Sequence, residues 1–236
     1  MIILHQFARS WGLPNLSHFC VKIETYMRMA EIPYRIVESL PLKAPKGKLP
    51  FIEDDGHKIA DSNLILEHLK QRHGNTPDAR LSASEKAIVT AMTRLIEDHL
   101  YWISMYTRWQ YTEENWQQNK KAIFSVLPPV IRDIAAFLYR IRIRRQILGH
   151  GISRLEETDI FRLGRLDIDA LADYLADRPY FFGDRPSSLD AIAYGFLCNI
   201  INCPIESPLK EYAHQKTNLV EYCRRIQQAY FADLAQ

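Results

Sequence analysis

The sequence predicts an α/β unit over residues 1–75 followed by an all-helical unit over residues 82–236. Two observations carry this. Up to Gly74, short apolar runs and helix-periodic stretches follow the order strand, helix, strand, loop, strand, hairpin, strand, helix. From Ser82 onward every periodic segment has helical spacing. The residues between, 75–81, contain Pro77 and read as a linker.

Each element has a local reason. Met1 to Gln6 is a short apolar run with the character of a buried strand. A loop with Gly12 and Pro14 follows. Phe19, Cys20, Ile23, Met27 and Ala30 then recur at three- and four-residue steps, with Ser17 as N-cap. Pro33 ends that helix, and Tyr34 to Val37 alternates as a second strand. Phe51 to Asp54 and His57 to Ala60 flank Asp55-Gly56, a strong signal for a two-residue hairpin. Leu64, Ile65, Leu66 and Leu69 are spaced as a helix that Gly74 stops.

In the second unit, Ser82 to Glu85 is a capping box opening a helix to about Gln110. Pro128-Pro129 marks a turn before a helix over Arg132 to Leu148, which Gly149-His150-Gly151 breaks. Leu155 to Ala176 is helical, with Gly164 as a candidate interruption. Ser187-Ser188-Leu189-Asp190 is a second capping box, before a helix over Ala191 to Ile201. Pro204 and Pro208 are assigned to a loop, and a last helix covers Thr217 to Tyr230.

Composition narrows the function classes. A chain of 236 residues, 47% hydrophobic and 25% charged, buries a core without disulfide or metal staples. A formal charge of +2 gives no reason to expect nucleic acid. The densest basic stretch, Arg140 to Arg145, reads as a solvated helix face with apolar residues turned inward. Cys20, Cys198, Cys203 and Cys223 form no CxxC and no zinc-finger spacing, so no metal site and a reducing compartment are expected. The N-terminus lacks the basic flank of a signal peptide. The longest apolar run, Ala191 to Ile201, falls short of the ~20 residues a membrane helix needs. A cytoplasmic protein without a membrane anchor is the expectation.

An ordered set of motifs adds a resemblance that spans nearly the whole chain. The motifs are Pro14 to Tyr26, Gly47 to Gly56, Ile59 to Ile65, Gly149 to Gly151 and Gly183 to Ala191. Together they resemble the glutathione S-transferase superfamily, within it the branch named after failed axon connections, with metaxin as a relative. The resemblance implies a thioredoxin-like N-terminal domain, an all-α C-terminal domain, glutathione as ligand or substrate, and a homodimer as the usual assembly. Metaxins carry a C-terminal apolar anchor. The residues from Phe231 onward do not match one, so an import-complex role is not expected.

The site residues follow. Ser17 stands where a loop enters a helix, and such a position stabilises a thiolate. In serine-type members this residue activates the glutathione thiol, so Ser17 is the catalytic candidate; a plain N-cap is the other reading. Cys20 occupies the second position of a CxxC-like pattern whose first Cys is Ser17. It is a core residue or, in the alternative, a redox group. The superfamily carries a cis proline before its third strand, so Leu49-Pro50 is expected to be cis and to face the glutathione cysteinyl unit, with Lys48 beside it as a carboxylate partner. Asp61-Ser62 matches the motif that holds the γ-glutamyl end: Asp61 accepts from the ammonium, and Ser62 donates to the carboxylate. Either residue also suits a cap. Tyr101, Trp102, Tyr106 and Trp109 form either a wall for a small apolar electrophile or a core stripe. Two functions stay open: a glutathione-dependent transferase, or a non-catalytic interaction protein on the same fold.

Overall fold

The computed structural model describes residues 1–74 and 77–234. The linker expected over 75–81 lies partly outside them. The first half is a four-stranded mixed sheet with two helices. Strand β1 (Ile2–Gln6) leads through α1 (His18–Met29) to β2 (Tyr34–Glu38), and β3 (Phe51–Asp54) and β4 (His57–Ala60) precede α2 (Ser62–His73). The sheet order is β2-β1-β3-β4. β1 runs parallel to β2 and antiparallel to β3, with His5 opposite Phe51. The Asp55-Gly56 hairpin forms as its sequence predicts, Phe51 pairing with Ala60.

The second half is helical. One continuous rod comprises α3 (Ala83–Arg94), a π turn (Leu95–Leu100), α4 (Tyr101–Tyr106) and a second π turn (Thr107–Tyr111). Then come α5 (Glu113–Phe124), α6 (Pro129–His150), α7 (Glu157–Leu175), α8 (Ser188–Ile201), α9 (Pro208–His214) and α10 (Thr217–Tyr230). Four details differ from the sequence reading. The segment assigned to a loop around Pro208 is α9, whose Ser207 hydroxyl accepts from the Lys210 N–H. α5, with no pronounced apolar stripe, is an added helix capped by Thr112. α7 is unbroken at Gly164. α6 runs on to His150, where Gly151 at φ 104° takes the left-handed position that ends it.

α8 is the centre of the molecule. All fourteen of its residues are buried, as suits a helix apolar all round. It packs along α1, which lies between it and the sheet. The Ser187–Asp190 box at its start is buried: the Asp190 carboxylate accepts from the N–H groups of Phe181 and Ser187 and from the Ser187 hydroxyl. Burial nonetheless pushes its pKa up to about 6. A raised carboxyl pKa means the folded state holds its proton more tightly than the unfolded chain. The stability this contributes is therefore complete below the unfolded value of 3.8 and is lost as pH rises through about 6. Asp190→Asn is expected to flatten the fall in melting temperature between those two pH values. An unchanged slope would remove Asp190 as its source.

No helix among the described residues is long and apolar enough to cross a membrane. No group of three or more His, Cys, Asp or Glu side chains among them is arranged to hold a metal ion.

Candidate functional site

Three separated stretches meet at one end of the strands, beyond the start of β3 and the end of β4. Ser17 caps α1, its hydroxyl accepting from the Cys20 N–H at 3.4 Å. The Leu49–Pro50 bond is cis and leads into β3. Asp61 caps α2, accepting from the N–H groups of Asn63 and Leu64 through Oδ1, which leaves Oδ2 outside the cap. A small apolar cluster joins them. Cys20, Ala44, Leu49, Phe51 and Ala60 pack together, with Phe7 against them. Each stretch contributes to it a residue adjacent to, or one turn from, its polar group.

The loop before Ser17 is fixed by buried polar groups. Asn15 receives the Ser17 N–H on its side-chain oxygen at 3.0 Å and donates to the Phe7 carbonyl at 2.7 Å. The Arg108 guanidinium, 4% exposed, donates to the Leu16 carbonyl at 2.7 Å and to the backbone and side-chain oxygens of Asn199 at 2.8 Å. Among the described residues no carboxylate pairs with Arg108, so its charge lies one residue from Ser17 without a counter-ion. His18 is buried and meets the Ser104 hydroxyl at 2.9 Å. Burial first, then Arg108, holds its pKa well below the usual histidine range, so the ring is neutral. The free N–H groups of α1's first turn, together with Arg108, make the position at Ser17 favourable to an anion.

At the α2 end a buried cation organises the polar groups. Lys22, fully buried on α1, donates to Ser62 Oγ at 3.1 Å, to Asn63 Oδ1 at 2.7 Å and to Glu97 Oε1 at 2.6 Å. Glu97 Oε2 accepts from Asn63 at 2.7 Å. Ser62 thus accepts from Lys22 and keeps its own proton to donate. Asp61 holds φ at 87°, a conformation non-glycine residues rarely adopt and one that concentrates at functional positions.

The other candidates are placed as follows. The Lys48 side chain is exposed in the loop before Leu49. Cys20 is fully buried and burial pushes its thiol up to about 12, which favours its reading as a core residue over the redox one. Tyr101 is half-buried against Phe19, His18 and Phe196 near the start of α1. Trp102 stacks on His150 at 4.8 Å, which gives that histidine a packing role. Tyr106 and Trp109 follow the core-stripe alternative. Tyr106 packs on Tyr111 and Phe161, and Trp109, 4% exposed, on Trp116 and Tyr139. The π turn from Thr107 changes the helical phase and carries Trp109 into the core.

The family model for the Glutathione S-transferase N-terminal domain matches residues 18–115, and that for the Glutathione S-transferase C-terminal domain matches 164–226. Isoprene-epoxide–glutathione S-transferase of Rhodococcus sp. (strain AD45) is 36% identical, the alignment covering 98% of this chain and 99% of that protein. The chain belongs to the glutathione S-transferase family. Failed axon connections of Drosophila melanogaster is 31% identical over 99% of this chain, and human metaxin-1 is 28% identical over 94%. This transferase-family chain spans 59% of the Drosophila protein and 49% of metaxin-1. Among solved structures, the glutathione S-transferase CsGST63524 of Ceriporiopsis subvermispora in complex with glutathione shares the fold at a TM-score of 0.65 with 16% identity, covering 97% of both chains.

Sequence reasoning missed Lys22, Glu97, Asn15, Asn199 and Arg108. The one available signal was Lys22 itself, a charge on the apolar-spaced helix between Val21 and Ile23.

Proposed function

We propose that this chain binds glutathione across Ser17, Leu49-Pro50 and Asp61-Ser62 and activates its thiol at Ser17. The observation that carries the reading is the shared cluster of Cys20, Leu49, Phe51 and Ala60, which brings the three stretches together. In this reading the γ-glutamyl ammonium meets Asp61 Oδ2, its carboxylate meets the Ser62 hydroxyl and N–H, and Lys48 flanks the cysteinyl end. The thiolate takes a hydrogen bond from Ser17 and lies in the field of α1 and Arg108. It then attacks a small apolar electrophile beside Tyr101 or exchanges with a disulfide. The Rhodococcus relative's name, covering an aligned length of 98% of this chain, supports an epoxide as electrophile. There the sulfur–carbon bond forms as the carbon–oxygen bond breaks, and the alkoxide takes a proton from water.

A second reading, a binding or scaffold protein without turnover, is favoured by the structural duties of both hydroxyls: Ser17 caps α1 and Ser62 accepts from Lys22. Calorimetric titration with reduced glutathione separates the readings. Micromolar-to-millimolar binding that Asp61→Ala abolishes is expected. Ser17→Ala is expected to keep binding, lower epoxide turnover roughly 100-fold, and move the pH profile upward, since a bound thiol then loses its donor. Full turnover in Ser17→Ala would remove its catalytic role, and no binding at several millimolar would leave the scaffold reading.

A further inference from the structure

Arg108 carries a buried charge that the described residues do not neutralise. It lies on the second π turn, where the rod meets the end of α8. Its side chain donates to the Leu16 carbonyl and to the backbone and side-chain oxygens of Asn199, all of them uncharged. The ionisable side chains around it are His18, Tyr101, Cys198 and Cys203. A histidine supplies no negative charge. Burial pushes the Tyr101 hydroxyl and the Cys198 thiol up, so both keep their protons. The Cys203 thiol donates towards the carbonyls of Ile200 and Ile205 at 3.7 and 3.9 Å, which requires its proton. Burial also lowers the pKa of Arg108, but a guanidinium stays charged at any ordinary pH.

One of its donors has no partner either. Arg108 Nε is buried and makes no hydrogen bond among the described residues. A buried donor left unsatisfied is costly, and more so when it is charged. Arg108 lines a cavity of about 10 Å³, with Ser104, Thr107, Asn199, Cys203 and Ser207 also in the wall. That is room for a single particle the size of a water molecule. No acidic side chain is in the wall. Ser207 Oγ accepts from the Lys210 N–H at 3.1 Å, which leaves its own proton to donate. The wall thus sets N–H and O–H donors beside a positive charge, which disfavours a cation. Sulfate and phosphate are too large. A water molecule satisfies Nε but leaves the charge uncompensated. A monatomic anion does both.

We propose that this cavity binds one chloride ion as the counter-ion of Arg108. The test needs no glutathione and stands apart from that reading. Melting temperature is compared in sodium chloride and in sodium gluconate at equal pH and ionic strength, gluconate being too large to enter. At about 0.2 M, chloride is expected to raise it by about 5 °C, as millimolar affinity for the folded state alone requires, and the gain is expected to grow with the logarithm of chloride concentration. Arg108→Met is expected to lose this response. Because that variant also loses the bonds to Leu16 and Asn199 and can fail to fold, crystals of the natural protein grown in bromide give an independent reading. An anomalous peak is expected within hydrogen-bond reach of Arg108 Nε. Equal melting temperatures in the two salts overturn the proposal. So does a chloride response that survives Arg108→Met, or a bromide crystal whose cavity holds an ordered water and no anomalous peak.

Discussion

Gly195→Ala is expected to destabilise the protein by about 3 kcal/mol or more and to weaken glutathione binding with it. Gly195 lies on the buried face of α8 where α1 crosses. A Cβ built there stands 2.7 Å from the His18 carbonyl oxygen, 2.9 Å from the Lys22 nitrogen and 3.2 Å from the Lys22 Cα. All three are backbone atoms, so no rotamer change relieves the collision. Alanine is the better helix former by about 1 kcal/mol, and that preference is overridden by the close approach. The only relief is to move α1 away from α8. α1 carries Ser17 at its cap and Lys22 one turn further on, so both ends of the proposed glutathione site shift together. Urea denaturation and glutathione titration measure the two effects. Gly164→Ala is the contrast: there the added carbon meets the side-chain ends of Leu209 at 2.9 Å and Ile103 at 3.2 Å, which can yield, and a smaller loss is expected. A Gly195→Ala protein as stable as the natural one would mean that the two helices do not approach this closely.

What the sequence made legible, and what it hid, divides by range. The Asp55-Gly56 hairpin, the Ser82–Glu85 and Ser187–Asp190 boxes and the span of α10 all rest on residues within four positions of one another, and all are present. Ser17 and Asp61 were readable as caps for the same reason. Lys22 and Glu97 are 75 residues apart, and Arg108 and Leu16 are 92 apart, so no local spacing could pair them. For Trp109 the sequence left wall and core open, because the π turn that sets its direction is announced by no residue in Thr107 to Tyr111. α5 was missed because its polar composition, Glu-Glu-Asn-Trp-Gln-Gln, masks a helix held by a cap and by Trp116 and Phe124. Between Arg140 and Arg145 the apolar residues were read as turned inward, and Ile143 is buried; that Ile131, Ile134, Phe137 and Leu138 face outward was not legible, because helical periodicity reports that a face is apolar, not which side of the helix meets the core.

Lys22→Met is expected to cost 3–5 kcal/mol, the usual penalty for leaving a buried charge without its partner. The Lys22 and Glu97 side chains are 0% and 4% exposed. Removing the ammonium leaves the Glu97 carboxylate with Asn63 as its remaining hydrogen-bond donor. The double variant Lys22→Met/Glu97→Leu removes both charges and is expected to regain much of the loss, since well-packed apolar groups often replace a buried pair at little cost. The difference between the double and the two single changes measures the coupling, expected at roughly 1–3 kcal/mol. Stability and function separate in this pair. Even where the double variant recovers its melting temperature, Ser62 and Asn63 have lost the group that orients them at the start of α2, so glutathione affinity is expected to stay low. If affinity recovers along with stability, the network serves only to fasten α1 to the rod of α3 and α4. Ser62 then orients without Lys22, and Asp61, at its strained backbone position, carries the γ-glutamyl end through its own carboxylate.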